Sequence, residues 1–168
     1  MHNLHLLLQR LADAKFDFVV IGGFAGVLHG SALVTNDLDI CAVLSAENVE
    51  KLRGILADMH PVHRMTHRKL SFLDHPTPGM PVANLYLETD GGIVDVLSSV
   101  LGVGDYECLQ KTAAEIPLFG RRCKVISLED LITAKEAVGR EKDLFAVKEL
   151  RAIAEKRRLA STPPKQDV

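Results

Sequence analysis

Between Val19 and Val43 the chain reads VVIGGFAGVLHGSALVTNDLDICAV, and no other stretch limits the fold so tightly. An apolar run stops at Gly22-Gly23, a short helix-forming segment follows, and a second apolar run carries Asp37 and Asp39. Side chains alternate across a strand, so two aspartates separated by one residue share a face. Neighbouring carboxylates repel and are costly to hold together unless a cation sits between them. An oxygen-only, doubly anionic pair suits Mg²⁺ or Mn²⁺, which take carboxylates together with phosphate oxygens. The glycine pair lacks Cβ atoms, so backbone N–H groups can approach an anion where the next helix begins. One end of the stretch is suited to phosphate and the other to the cation that phosphate brings, as in a nucleoside triphosphate site.

Thirteen residues separate Gly23 from Asp37, with His29-Gly30 and Thr35 between them. This pattern resembles the polymerase-β-like nucleotidyltransferase superfamily, and within it the small bacterial proteins grouped with the AbiEii toxins. The family pattern reads Gly-Gly, then His-Gly-x-x-Arg-x-Thr-x-Asp-hydrophobic-Asp. Here Leu33 stands at the arginine position and Phe24 follows the glycine pair, so the arginine's contact has no counterpart. The resemblance spans most of residues 17–150. It implies an α/β (α+β) nucleotidyltransferase fold: a small mixed sheet flanked by helices, with further helices at the C-terminal end. It also implies nucleotide contacts from Gly22, Gly23 and Thr35, and metal ligation by Asp37 and Asp39.

The remaining segments extend this reading. Leu4, Leu7, Leu8 and Leu11 recur at helical spacing, which predicts an amphipathic helix over 3–14. Phe16–Ile21 and Asp37–Leu44 read as strands, Phe24–Leu28 as a short helix, and His29 as a cap on that helix's last carbonyls. Ser45 and Glu47 open a packing helix over 46–59 that Pro61 ends. His60, His63, His67 and His75 match no closed zinc template and have no cysteine among them, so zinc is not expected. Arg64, Arg68 and Lys69 make a local basic stretch, read as a solvated strand and loop, with an RNA-phosphate or acceptor contact as the functional alternative.

Asn84–Glu88 and Ile93–Leu97 flank Thr89-Asp90-Gly91-Gly92, a hairpin signal. The second arm, GIVDVL, embeds Asp95 among apolar residues, where an acid is expensive to bury without a partner. By the resemblance, Asp95 is the third acid of the metal site; otherwise it is a strand-edge carboxylate facing solvent. Ile116–Phe119 and Cys123–Ile126 suggest a second hairpin, and Ser127 with Asp130 starts a helix. That helix leads into Lys135-x4-Arg140-x-Lys142-Asp143, which resembles a C-terminal motif of AbiEii-like nucleotidyltransferases. The resemblance puts Lys135 on a phosphate oxygen and adds Arg140 and Asp143 to the nucleotide-binding set, with Asp143 binding the acceptor group or locking Arg140 or Lys142 in place; the alternative is a solvated helix face laced with ion pairs.

A single domain over 1–154 is expected, followed by a polar, proline-bearing, disordered tail over 155–168. The net charge of −2 and 5% aromatic content exclude a global basic field and an aromatic platform for single-stranded nucleic acid. Cys41, Cys108 and Cys123 form no CxxC pair and are expected to be small buried apolar residues in a reducing compartment. No signal peptide or membrane span is read, so a cytoplasmic setting without membrane partners is expected. The leading expectation is NMP transfer from an NTP to an acceptor hydroxyl on RNA, protein or a small molecule. Mg²⁺ or Mn²⁺ would be held by Asp37, Asp39 and Asp95, and these acids with Lys135 form the catalytic set. A toxin with an antitoxin partner, modifying tRNA or protein, is the biological setting the resemblance suggests. A nucleotide-binding module without turnover is the alternative.

Overall fold

The computed structural model describes residues 3–163. Helix α1 (Leu4–Asp13) buries Leu4, Leu7, Leu8 and Leu11, the residues that share its apolar stripe, and Asn3 caps its first turn. Strand β1 (Val19–Ile21) follows, then α2 (Gly22–Leu28), β2 (Asp37–Cys41) and α3 (Ala46–Leu56). A hairpin of β4 (Asn84–Thr89) and β5 (Gly92–Leu97) comes after the two-residue β3 (Val62–His63). A small ribbon of β6 (Ser99–Val100) and β7 (Gly104–Asp105) leads to α4 (Tyr106–Thr112). Strands β8 (Ala114–Leu118) and β9 (Arg121–Val125) form the second hairpin, and α5 (Leu128–Val138) and α6 (Glu141–Ser161) complete the chain.

The main sheet has seven strands in the order β3-β4-β5-β2-β1-β9-β8. Strand β2 runs parallel to β5 and antiparallel to β1, which itself runs parallel to β9, so the sheet is mixed. The strands that carry the three acids are therefore central neighbours. Leu38, Ile40, Val94 and Val96 alternate with those acids and are fully buried on the opposite face. The apolar side of the sheet closes the core and leaves the acidic side for the site. Among the described residues no helix is long and apolar enough to cross a membrane.

Several boundaries differ from the sequence expectation. Phe16 and Phe18 stay outside β1, with rings stacked at 6.5 Å in the core, because Phe16 N–H turns back to the Leu11 carbonyl. Strand β2 ends at Cys41 rather than Leu44, and the helix expected to Met59 tightens into a 3₁₀ turn after Leu56. The loop after β3 is anchored as well as solvated. Arg53 is buried, donates to the Phe72 carbonyl at 2.8 Å, binds the Pro76 carbonyl and Glu50, and lies over the Phe72 ring.

The largest correction concerns the C-terminal end. Residues 155–161, expected in a disordered tail, form the last two turns of α6; residues 164–168 lie outside the described residues. Glu155 pairs with Arg158 within these turns, and Arg157 reaches back to α2. His29 does follow α2 as its C-cap residue, but its side chain is buried and spans to another element. Its Nε2–H donates to the Ile126 carbonyl at 2.7 Å, while Arg157 donates to the His29 carbonyl at 2.8 Å and approaches Nδ1 at 3.3 Å. Burial, with Arg157 alongside, pushes the imidazole pKa down and favours the neutral ring. One helical stretch nearer the site, Glu149 accepts from the Ser31 hydroxyl at 2.6 Å and the Ala32 amide at 2.7 Å. Helix α6 thus pins both ends of segment 29–32.

Replacing Arg157 by alanine leaves the buried His29 ring nitrogen and carbonyl without this partner. The expected cost is about 1–2 kcal/mol, read from the urea midpoint. A variant as stable as the wild type would show that the last turns of α6 do not hold the fold.

Candidate active site

The register of the sheet places one residue from each of four strands or their extensions in a single row. Asp39 pairs with Asp95, Asp95 pairs with Tyr86, and the Arg64 amide donates to the Tyr86 carbonyl at 3.0 Å. On the other side of Asp39 stands Ile21, and Gly22 begins the next helix. Asp37 lies one pleat along β2 on the same face. The carboxylates of both strands therefore converge on one side of the sheet; the spacing predicts the shared face of Asp37 and Asp39, and the strand register adds Asp95.

Their environments differ. Asp39 is pushed up to about 6, first by burial, then by the charges of Asp95 and Asp37; Lys135 and Arg64 offset this only in part. Burial likewise raises Asp95, which is 6% exposed, but the Arg64 guanidinium opposes that shift. Arg64 Nε donates to Asp95 Oδ1 at 3.1 Å, a second guanidinium nitrogen binds Oδ2, and the group lies over the Tyr86 ring at 5.5 Å. This bidentate pairing is the geometry that the planar guanidinium favours.

The glycine pair is required by contact. Gly22 has φ of +65°, and a Cβ there would meet Asp39 Oδ2 at 2.2 Å. A Cβ on Gly23 would meet the Thr35 hydroxyl at 2.8 Å. Thr35 itself donates to the Asp37 carbonyl at 3.3 Å and braces the turn into β2. The backbone of the first turn of α2 thus lies directly against the acids.

Across the cleft, Asp143 is almost fully buried at the start of α6. Arg140 Nε donates to it at 2.6 Å, and Lys135 Nζ stands 3.6 Å away. Burial alone would raise this carboxyl; the hydrogen bond and charge of Arg140, then the charges of Lys135 and Lys142, outweigh it and hold the group below the ordinary range. Asp143 is therefore an anchor for two cations. A cavity of about 640 Å³ opens between the two sides, lined by Gly22, Gly23, Thr35, Asp37, Asp39, Lys135, Arg140 and Asp143. Leu33, Val34, Phe145 and Ala146 add apolar wall, Glu141 and Lys142 add charge, and Phe145 remains 63% exposed.

All nine residues singled out in the sequence are thus accounted for, but the three acids do not form one cage. Asp95 is engaged by Arg64, and among the described residues no group of three or more His, Cys, Asp and Glu side chains is placed to hold a metal ion. The physical reason is that Arg64 already supplies the positive charge Asp95 needs. Asp37 and Asp39 retain uncompensated charge, oxygen donors and an open cavity, and fit a hard divalent cation. Arg64 was legible only as part of a basic run, and Phe145 only as one apolar residue of a helix. The histidines scatter: His60 binds Asp90 at 2.6 Å and His63 donates to the His75 carbonyl at 2.8 Å.

A family model described as "Nucleotidyl transferase of unknown function (DUF2204)" matches residues 1–162. Among solved structures the chain is similar to the lincosamide antibiotic adenylyltransferase LnuA, bound to lincomycin. The identity is 21% over 89% of this chain and 95% of that chain, with a TM-score of 0.59. It is also similar to ANT(2″)-Ia in complex with adenylyl-2″-tobramycin, at 14% identity over 95% and 97% of the two chains and a TM-score of 0.53. At these identities the likeness shows a shared fold. Comparison with curated proteins gives no match.

Because the fold raises Asp39 above its unfolded value, the ionised form is disfavoured in the native state. The resulting penalty is absent below about pH 4, develops as pH rises, and is complete above about pH 7. Asp39→Asn is expected to stabilise the metal-free protein at pH 8 by up to about 3 kcal/mol and to leave it unchanged near pH 4. Urea titrations at the two pH values measure this; equal stability at pH 8 would mean that Asp39 carries no such strain.

Proposed function

The chain belongs to the nucleotidyl transferase family DUF2204, and from that premise we propose that it transfers a nucleoside monophosphate from an NTP to an acceptor hydroxyl, releasing pyrophosphate. The observation that carries this reading is a single cavity bounded by Asp37 and Asp39 on one side, Lys135 and Arg140 on the other, and the Gly22–Gly23 backbone between. Anionic and cationic groups facing each other across a glycine corner match a triphosphate and its counter-ion.

In this mechanism Asp37 and Asp39 would hold Mg²⁺ or Mn²⁺, which when bound would supply Lewis-acid charge to phosphate oxygens and lower the cost of bringing the two acids together. Lys135 and Arg140, steadied by Asp143, neutralise phosphate oxygens as point charge and planar donor respectively. Backbone amides of Gly22 and Gly23 approach the triphosphate where any side chain would collide with Asp39 or Thr35. Leu33, Val34 and Phe145 give the nucleobase an apolar wall. The acceptor oxygen bonds to the α-phosphorus, the bond to the β-phosphate oxygen breaks, and pyrophosphate leaves with that electron pair. The acceptor proton passes to Asp95, a buried carboxylate on the acidic face of the sheet that Arg64 keeps oriented.

An NTP donor fits a cytoplasmic setting. The narrower AbiEii-like reading, a toxin held by an antitoxin, draws its support from the Lys135–Asp143 motif. The nucleotide cleft accounts for those same residues, so the motif supports nucleotide transfer as well as it supports that setting.

Incubation with α-phosphate-labelled NTPs and a mixture of cellular small molecules, RNA and protein tests the proposal through label transfer and pyrophosphate release. Asp39→Asn is expected to lower turnover by about 10³-fold with the fold intact. Phe145→Ala should raise the KM for NTP by about tenfold with kcat little changed, because stacking on one base contributes about 1–3 kcal/mol. Undiminished turnover in Asp39→Asn would remove the proposal.

A further inference from the structure

A second cavity, of about 440 Å³, adjoins the nucleotide cleft and shares Gly22, Asp39, Lys135, Arg140 and Asp143 with it. We propose that this cavity is the acceptor site and that it takes a neutral, hydroxyl-bearing small molecule with an apolar face; the inference rests on the nucleotidyl-transfer reading above.

The chemistry of the wall decides the class. Asn84, Tyr86, Leu97, Ser99, Leu101 and Val138 typify the part not shared with the cleft, and among the described residues that part includes no Asp, Glu, Lys, Arg or His. A polycationic acceptor would need carboxylates there, and an RNA strand would need several cations for its phosphates. The shared charges are already committed: Asp143 binds Arg140 and faces Lys135, and Asp39 stands beside Asp37 at the proposed cation position. In the basic stretch 64–69, Arg64 is committed to Asp95 and Lys69 to Glu88 at 2.6 Å, and neither lines this cavity. What remains is an apolar surface with hydroxyl and amide groups, in a volume typical of drug-sized ligands. Leu101 and Val138 lie 64% and 45% exposed at this cavity, an apolar surface suited to the acceptor's own apolar face.

The position decides the role. Asp39 lines both cavities, so a hydroxyl entering the second meets the nucleotide held in the first at that residue. In the strand register Asp95 sits between Asp39 and Tyr86, both of which line the second cavity. The proton acceptor named above is therefore flanked in the sheet by two residues of the cavity wall.

Octyl glucoside below its micelle concentration serves as a neutral, hydroxylated, apolar-tailed probe, followed by saturation-transfer NMR on the full chain. Magnesium ATP is titrated in parallel by calorimetry. The wild type is expected to bind the glucoside, and Leu101→Glu and Ser99→Lys each to weaken it at least about tenfold, since each introduces a charge into an apolar wall. Tobramycin and a single-stranded RNA oligonucleotide should not displace it. Failure of the wild type to bind the glucoside, equal binding by both variants, or displacement by either competitor would overturn the proposal. Absence of ATP binding with the glucoside results as expected would instead remove the transfer reading and leave the cavity's ligand class standing.

Discussion

Like charge crowded onto two adjacent strands is the constraint around which this protein is arranged. Parallel pairing of β2 with β5 sets Asp39 opposite Asp95, and the two-residue pleat brings Asp37 to the same side. Three carboxylates at one place in a partly buried sheet oppose folding unless opposite charge arrives. Two basic side chains answer that demand. Arg64 comes from the extension of the edge strand and takes Asp95 outright, while Lys135, from α5, acts on Asp39 from across the cleft. Asp37 and Asp39 remain short of opposite charge, and the proposed cation would supply it.

The remaining architecture holds these groups at working distance. Segment 60–81 would be free to carry Arg64 away from Asp95, but buried Arg53 ties Phe72 and Pro76 to α3. Buried Asp143 performs the corresponding task for Lys135 and Arg140. In both places a long cationic side chain, which would lose considerable rotamer freedom on ordering, is fixed in advance by a neighbour with no direct part in the chemistry. The close approach of Gly22 to Asp39 extends the same logic to the backbone, where one added carbon would collide with the carboxylate.

Much of this was legible in the sequence because it is local. Alternation placed Asp37 and Asp39 on one face, the Asp90-Gly91 turn set the hairpin, and the capping serines before α3 and α5 marked the starts of both helices. The nucleotidyltransferase fold followed from the same short motif, and the family match extends across residues 1–162. The pairing of Arg64 with Asp95 was not legible, since it joins residues 31 apart through a loop with no regular pattern. The run from Glu155 to Ser161 looked disordered because its composition is polar. It is helical because Arg157 finds the His29 carbonyl 128 residues earlier in the chain, a contact that no local pattern encodes. Apolar residues that face solvent, such as Phe145 and Leu101, carry no periodic signal either; only the cavities they border give them meaning.

The grip of α6 on segment 29–32 has a bearing on affinity. Arg157 holds one end and Glu149 the other, so the strip of chain leading to Leu33 and Val34 is tethered to the same helix that carries Phe145. The two sides of the proposed nucleobase wall are thus held to one helix. A ligand entering it would have less backbone disorder to freeze, so that more of each contact would survive as net binding free energy.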